Sequence, residues 1–549
     1  MRGPSSWRRG VLLGAWVGWL GVAGCNAEHP IEGVDDGLCV GEPSASEAVG
    51  LVTGLDVDVL LVIDDSGSML EEQATLAASF GSLIDVLERP EVAGSYRIAV
   101  TTTSSAGCNP AALDVGELRL TSCRSRPEAF VSDGSEGPVA DVRGEACEAI
   151  CPESWASWQT LPTTTQYDDV PRPRPWIERI GARTNLPEGL TPQQALQCIG
   201  PQGIAGCRFE SPLEAMRRAV LRTYEEGDPN FGFIREHAVL LVVFITDEVD
   251  CSFGSSWASV LSPDGDRVFW SDPDAPGPTS AVCWNAGVAC DEGDPLQCHA
   301  VDLDAAGAPV DPADADEHAV LRPVSGYVEL LEALGASKQA IFPNRGVVVT
   351  LLGGANGDGS VTYAETSVDP VFGEEFGIGP GCQNSSGKAV PPVRLRELVD
   401  VLQVGDGRTT FSICDADYTR VLDPIAESLA HQPRPACMPG CVADIDPSTP
   451  DQLDPSCELV QDVPDLDAFA NYEDQSIVRC SDDGTLPVGQ DVCYTTLTGD
   501  ERSEYCIDQG NNLQFQLLRR PGVYVPSGTQ IRASCVMSEC TATECPDLR

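Results

Sequence analysis

Asp58-Val-Leu-Leu-Val-Ile-Asp-Asp-Ser-Gly-Ser-Met69 is the stretch that decides how this chain is read. A β-branched and leucine-rich run, Val57 to Ile63, breaks there into two carboxylates and two hydroxyls with a glycine between them. Its length and content predict a strand buried on both faces of a parallel sheet. Ser68 to Leu87 is helix-permissive, with Leu76, Phe80, Leu83 and Leu87 at helical spacing. The polar cluster therefore falls at the carboxyl end of a strand, where open α/β sheets bind ligands. Asp64, Ser66 and Ser68 alternate, so their oxygens can converge on one hard cation, and Gly67 permits the tight backbone. Oxygen-only ligation suits Mg, Ca or Mn rather than Zn or Cu.

The same alternation of apolar strand and helix continues downstream. Tyr96 to Thr103 and Ala238 to Ile245 predict strands, the second ending in Thr246-Asp247-Glu248. Between them Ser211-Pro-Leu-Glu214 predicts a capping box, opening a helix whose face is Leu213, Met216, Val220 and Tyr224. Further helix faces are Tyr327, Leu330, Leu331 and Leu334, then Leu395, Leu398, Val399 and Leu402. Gly346 to Leu352 and Thr409 to Cys414 are strands, and Tyr418, Val421, Leu422, Ile425 and Leu429 form a closing helix. The order predicts an α/β fold, a Rossmann-like doubly wound and mostly parallel sheet. Two stretches, about 104–175 and 252–319, dissolve into Gly, Pro, Ser, Asp and Cys and read as disulfide-pinned insertions on the rim of the ligand edge. Trp155 and Trp158 in the first pack under the loops or mark a contact surface. Asp247, Glu248 and Asp250 with Cys251 read as a solvated turn fixed by a disulfide, with a second cation as the alternative. Asn356-Gly-Asp-Gly-Ser360 reads as a simple turn, because Gly354 stands where a calcium loop needs its first acid.

Asp64-x-Ser66-x-Ser68 after an apolar strand resembles the metal-ion-dependent adhesion site of von Willebrand factor type A domains. The resemblance covers roughly residues 55 to 432. It implies that Asp247, in Ile245-Thr246-Asp247, completes the site through water, and that a threonine from the loop before the preceding helix joins it. Here the chain departs from the pattern. The position that aligns is Glu210, while Thr184 in Thr184-Asn-Leu-Pro looks right locally but lies farther upstream. The resemblance thus implies a divalent cation, Mg or Ca, held by Asp64, Ser66, Ser68, Glu210 and Asp247. In the adhesive form the cation recruits an acidic side chain of a protein or extracellular matrix ligand.

Arg2, Arg8 and Arg9 precede the apolar run Val11 to Val22, too short to span a bilayer comfortably, which reads as a signal peptide over residues 1–24. Val22-Ala-Gly-Cys25 resembles the lipobox of bacterial lipoproteins, which implies a lipid anchor on Cys25. Residues 25–54 then read as a tether. The 23 cysteines leave an even number once Cys25 is set aside, so an oxidising compartment and disulfides are expected. The expected location is the cell envelope, on a lipid anchor to the outer membrane of a Gram-negative bacterium. With 34 basic against 84 acidic residues and a net charge of −50, nucleic acid is not an expected partner.

Residues 433–549 carry nine cysteines between Cys437 and Cys545 among short alternating segments, and read as a small disulfide-stapled β-rich module. Nine is odd, so complete pairing needs a bridge out of the module, with Cys39 or Cys414 as partner. No His-Glu-x-x-His and no Gly-x-Ser-x-Gly elbow occurs, so the chain does not read as an enzyme. The reading is a lipid-anchored lipoprotein that binds a divalent cation and mediates adhesion or protein binding. The alternatives are an envelope component whose cation only staples the loop, and a metal-dependent hydrolase.

Overall fold

In the computed structural model the described residues run from 44 to 548, apart from 46–48, 52–55, 89–94, 105–114, 135–138, 342–345, 404–406, 420–423, 425–435, 450–452, 465–471, 503–505, 521–529 and some single or paired positions. The signal segment, Cys25, Cys39 and the closing helix face at Val421, Leu422, Ile425 and Leu429 lie outside them.

Seven strands form the first sheet: β1 (Val57–Ile63), β2 (Tyr96–Thr102), β3 (Ile177–Ile180), β4 (Arg183–Thr184), β5 (Val239–Ile245), β6 (Val347–Gly353) and β7 (Thr410–Ser412). Their order across the sheet is β4-β3-β2-β1-β5-β6-β7. The run from β2 to β7 is parallel, and β3 and β4 add an antiparallel edge. Because β1 is central and its neighbours β2 and β5 follow it in opposite directions along the sheet, the strand order reverses between β1 and β5. A crevice for ligands opens at such a point, beyond the carboxyl ends of the strands.

Helices cover both faces: α1 (Leu70–Leu87), α2 (Pro192–Ile199), α3 (Pro212–Arg222), α4 (Val324–Ile341) and α5 (Val393–Val401). The period of two along a strand sorts side chains between two cores. Val59, Leu61 and Ile63 of β1 meet Leu76, Phe80, Leu83 and Leu87 of α1 in one core. Leu60 and Val62 meet Leu213, Met216 and Val220 of α3, Leu331 of α4 and Leu395 of α5 in the other. Asp58 points to the second face and is fully buried, which the apolar content of β1 does not suggest. Arg235 accounts for it: its Nε donates to Asp58 Oδ1 at 2.8 Å, and its amide donates to Oδ2 at 2.6 Å.

The insertions are pinned as the cysteine content suggested, by Cys123–Cys147 and Cys151–Cys198 in one and by Cys251–Cys283 and Cys290–Cys298 in the other. Trp155 and Trp158 are partly buried against the first core. The loop at Asn356 is a turn closed by Asn356 N donating to Ser360 O at 2.8 Å.

Three local readings need correction. Ser211 forms no capping box. Its hydroxyl donates to the Cys251 carbonyl at 2.7 Å, and the Glu214 amide donates to the Ser252 hydroxyl at 2.9 Å, so the next strand's loop supplies the cap. The true capping box is Thr191 with Gln194, at the start of α2. Tyr224 lies past the end of α3 and is 46 % exposed. The turn at Asp250 is buried, not solvated: Asp250 pairs with Arg394 at 3.1 Å, and both side chains are fully covered.

The second sheet contains β8 (Ala436–Cys437), β9 (Cys457–Pro464), β10 (Tyr472–Arg479), β11 (Val492–Leu497), β12 (Gln514–Arg519) and β13 (Gln530–Met537). It is antiparallel except where β10 and β11 run parallel. Two segments from the stretch read as a tether, Ser44–Ala45 and Val49–Leu51, pair with β13. Four bridges staple the module: Cys437–Cys506, Cys441–Cys545, Cys457–Cys535 and Cys480–Cys493. Those consume eight of its nine cysteines. Cys540 is also disulfide-bonded, so its bridge leaves the module. Cys414 is not the partner, because it pairs with Cys382.

Candidate functional site

Parallel pairing in register brings three strand ends to one edge. Ile63 of β1 stands opposite Thr102 of β2 and Ile245 of β5, so Asp64, Thr103 and Thr246 follow side by side. The sheet's hydrogen bonds run on through them: the Asp64 amide donates to the Ile245 carbonyl at 2.9 Å and the Thr103 amide to the Ile63 carbonyl at 3.1 Å.

The loop after β1 then turns back on Asp64. Its Oδ1 accepts the Ser66 amide at 2.8 Å, and its Oδ2 accepts the Thr246 hydroxyl at 2.5 Å. Gln73 Nε2, one turn into α1, donates to the Asp64 carbonyl at 2.8 Å. Ser66 and Ser68 hydroxyls lie 2.9 Å apart, and Ser68 Oγ donates to Asp247 Oδ1 at 3.0 Å and to Glu248 Oε1 at 3.2 Å. The four predicted residues Asp64, Ser66, Ser68 and Asp247 are thus joined by one chain of contacts across the reversal point of the sheet.

Glu210 and Thr184 part company. Glu210 bridges to Ser104 just past β2, and its Oε2 accepts the Thr103 hydroxyl. Thr184 pairs with Arg179, which faces Tyr96, which faces Val57. That row lies at the amino ends of the parallel strands, opposite the loop, so Thr184 cannot reach it.

Four residues of the site were not anticipated in their roles, Thr103, Thr246, Gln73 and Glu72, and Glu248 was expected only as part of the acidic turn after β5. The two threonines had a signal, since each is the first residue past a strand of the parallel sheet. Glu72 lies in the first turn of α1. Glu248 also receives a hydrogen bond from Ser280 at 3.4 Å, which comes from the second insertion. Asp65 is held apart by Ser104 Oγ at 2.8 Å and Arg119 at 3.8 Å.

Electrostatically the edge is crowded with acid. Burial pushes Asp64 up to about 6, against hydrogen bonds from Ser66 and Thr246 that pull it down. Burial pushes Glu72 up to about 7. Burial first, and the Asp64 charge second, hold Glu210, Asp247 and Glu248 well above the usual carboxylate range. Glu210 Oε1 and Glu72 Oε2 are buried without a hydrogen-bond partner. Buried carboxylates in such numbers either share protons or face a cation. Among the described residues no three His, Cys, Asp or Glu groups are placed to hold a metal ion by themselves. A cation here would have to use the hydroxyls of Ser66 and Ser68 together with acids. This oxygen set fits a hard divalent ion.

Nine disulfides among the described residues belong to an oxidising compartment. Among the same residues no helix is long and apolar enough to cross a membrane.

No family model and no curated protein matches the chain. Among solved structures it is similar to the pilus adhesin SpaC from Lactobacillus rhamnosus GG, at 10% identity and a TM-score of 0.27 over 90% of this chain and 43% of that one. The open conformation of SpaC gives 9% identity and 0.26 over 92% and 43%. The pilus adhesin RrgA from Streptococcus pneumoniae gives 11% and 0.24 over 90% and 58%. The chain spans about half the length of these proteins, and a likeness at such TM-scores carries no argument about fold or function.

Proposed function

We propose that this is an extracytoplasmic surface protein of the von Willebrand factor type A kind, whose α/β domain binds one divalent cation and mediates protein binding or adhesion. Asp64, Ser66, Ser68, Glu210 and Asp247 are the residues that would hold the ion, Mg or Ca. Cys25 would carry a lipid anchor to the envelope, and the partner would be a protein or extracellular matrix ligand. The cation would supply positive charge to a buried acidic edge and fix the loop after β1.

The observation that carries this reading is the contact chain Asp64, Ser66, Ser68, Asp247 at the reversal point of a mostly parallel sheet, with a buried, unpartnered Glu210 oxygen at the same edge through Thr103. Both insertions reach the same edge, Arg119 of the first at Asp65 and Ser280 of the second at Glu248, so a partner docking there would read them. The test is attachment of cells bearing the wild type or Asp64→Ala to envelope or matrix material, with and without chelator. Loss of attachment on either change, with the variant's circular dichroism unaltered, is the expected outcome. Attachment indifferent to both refutes the reading.

A further inference from the structure

We infer that Glu210 selects the ion: its carboxylate joins the site from within the chain and makes it take calcium in preference to magnesium. The inference rests on the cation site proposed above and adds which ion is taken and which residue chooses it.

Glu210 is clamped where it stands. Its backbone bridges to Ser104, its carbonyl accepts the Cys251 amide at 2.7 Å, and the next amide, of Ser211, donates to the Thr103 carbonyl at 2.9 Å. Four residues earlier the Gly206 amide donates to the Asp65 carbonyl at 2.6 Å, so the segment leading to Glu210 lies along the loop after β1. A Cβ at Gly206 would stand 2.5 Å from that carbonyl, which is why the segment can come so close. Glu210 is wholly buried. One oxygen takes the Thr103 hydroxyl, and the other has no partner. Among the described residues no salt bridge joins Asp64, Glu210, Asp247 or Glu248, while Arg119 pairs with the neighbouring Asp65 at 3.8 Å.

Glu210 thus brings a fixed, unpartnered and buried carboxylate oxygen to the sheet edge that also carries Asp64, Asp247 and the hydroxyls of Ser66 and Ser68. Calcium accepts six to eight oxygens in flexible geometry and readily takes several carboxylates. Magnesium demands near-octahedral geometry and gives up its waters reluctantly, so it loses more on entering a buried edge.

The test is isothermal titration calorimetry of the full chain with calcium chloride and with magnesium chloride, on the wild type, Glu210→Gln and Glu210→Asp, with folding checked by circular dichroism. The wild type should bind calcium at least about tenfold more tightly than magnesium. Glu210→Gln should bring the two ions to within about threefold of each other, and Glu210→Asp, which keeps the charge, should retain the preference. Equal affinities in the wild type overturn the role of Glu210 while leaving the cation site standing, and so does a Glu210→Gln variant with the wild-type preference. A wild type that binds neither ion overturns the site and the inference together.

Discussion

If the acidic edge holds the proposed cation, chelated protein should lose stability relative to calcium-loaded protein as the pH rises. Without an ion, burial lifts Asp64 from 3.8 to about 6 and Glu72 from 4.5 to about 7, and Glu210, Asp247 and Glu248 move in the same direction. A carboxyl raised in this way binds its proton more tightly folded than unfolded. Its contribution favours the folded state at low pH and is lost as the pH climbs from the unfolded value through the folded one. For Asp64 alone, a difference of about two pKa units is worth about 3 kcal/mol, lost by about pH 7. The neighbours titrate as a coupled set, so their shares do not simply add. A bound divalent ion replaces the protons and removes the loss. His237 runs the other way: burial lowers it from 6.5 to about 4, so its contribution is present above 6.5 and lost as the pH falls toward 4. It pairs with Asp56 near the start of β1, away from the acidic edge, and cancels when chelated and calcium-loaded samples are compared at each pH. The assay is thermal unfolding by circular dichroism between about pH 5.5 and 8, in EDTA and in millimolar calcium. The two melting temperatures should diverge with rising pH, reaching a gap of roughly 5 °C. A gap that stays constant across the range, or one that narrows as the pH rises, refutes the reasoning.

Two further outcomes concern the frame around the site. Arg235→Met should cost about 3–5 kcal/mol in urea unfolding, because it strands the buried Asp58 carboxylate that Arg235 now satisfies through its side chain and its amide; a loss under about 1 kcal/mol would contradict the pairing. Peptide mapping under non-reducing conditions should join Cys540 to a cysteine preceding residue 433, since the other eight of the module pair among themselves; a map with every bridge inside the module would contradict this.

Much of the first sheet is legible in the sequence because its parallel strands are buried on both faces and the central ones are mostly apolar. Val57 to Ile63 and Val239 to Ile245 announce themselves in that way, and the residue after each then falls on the ligand edge. The helix face of α1 is legible for the same reason, since Leu76, Phe80, Leu83 and Leu87 repeat at the helical period and all enter one core. What local sequence does not show is which side chains meet across strands. Thr103 and Thr246 are ordinary residues until the register sets them beside Asp64. The letters Ser211 and Glu214 fit a capping box, but the Ser211 hydroxyl donates to the Cys251 carbonyl and the Glu214 amide to the Ser252 hydroxyl instead. Residues 44–51 look like solvated linker because two and three residues at a sheet margin need little apolar content when β13 supplies the partner groups. Thr184 shows the opposite failure: a locally fitting phrase lies at the wrong end of the strands.

The most direct test of the cation reading is a calorimetric titration of the full chain, wild type and Asp64→Ala, with calcium at neutral pH. The wild type should bind one equivalent saturably. Asp64→Ala, with its circular dichroism unchanged because a buried acid has been removed from a crowded edge, should bind none. A wild type that takes up no ion, or a variant that binds as the wild type does, would contradict the assignment of that edge to a metal.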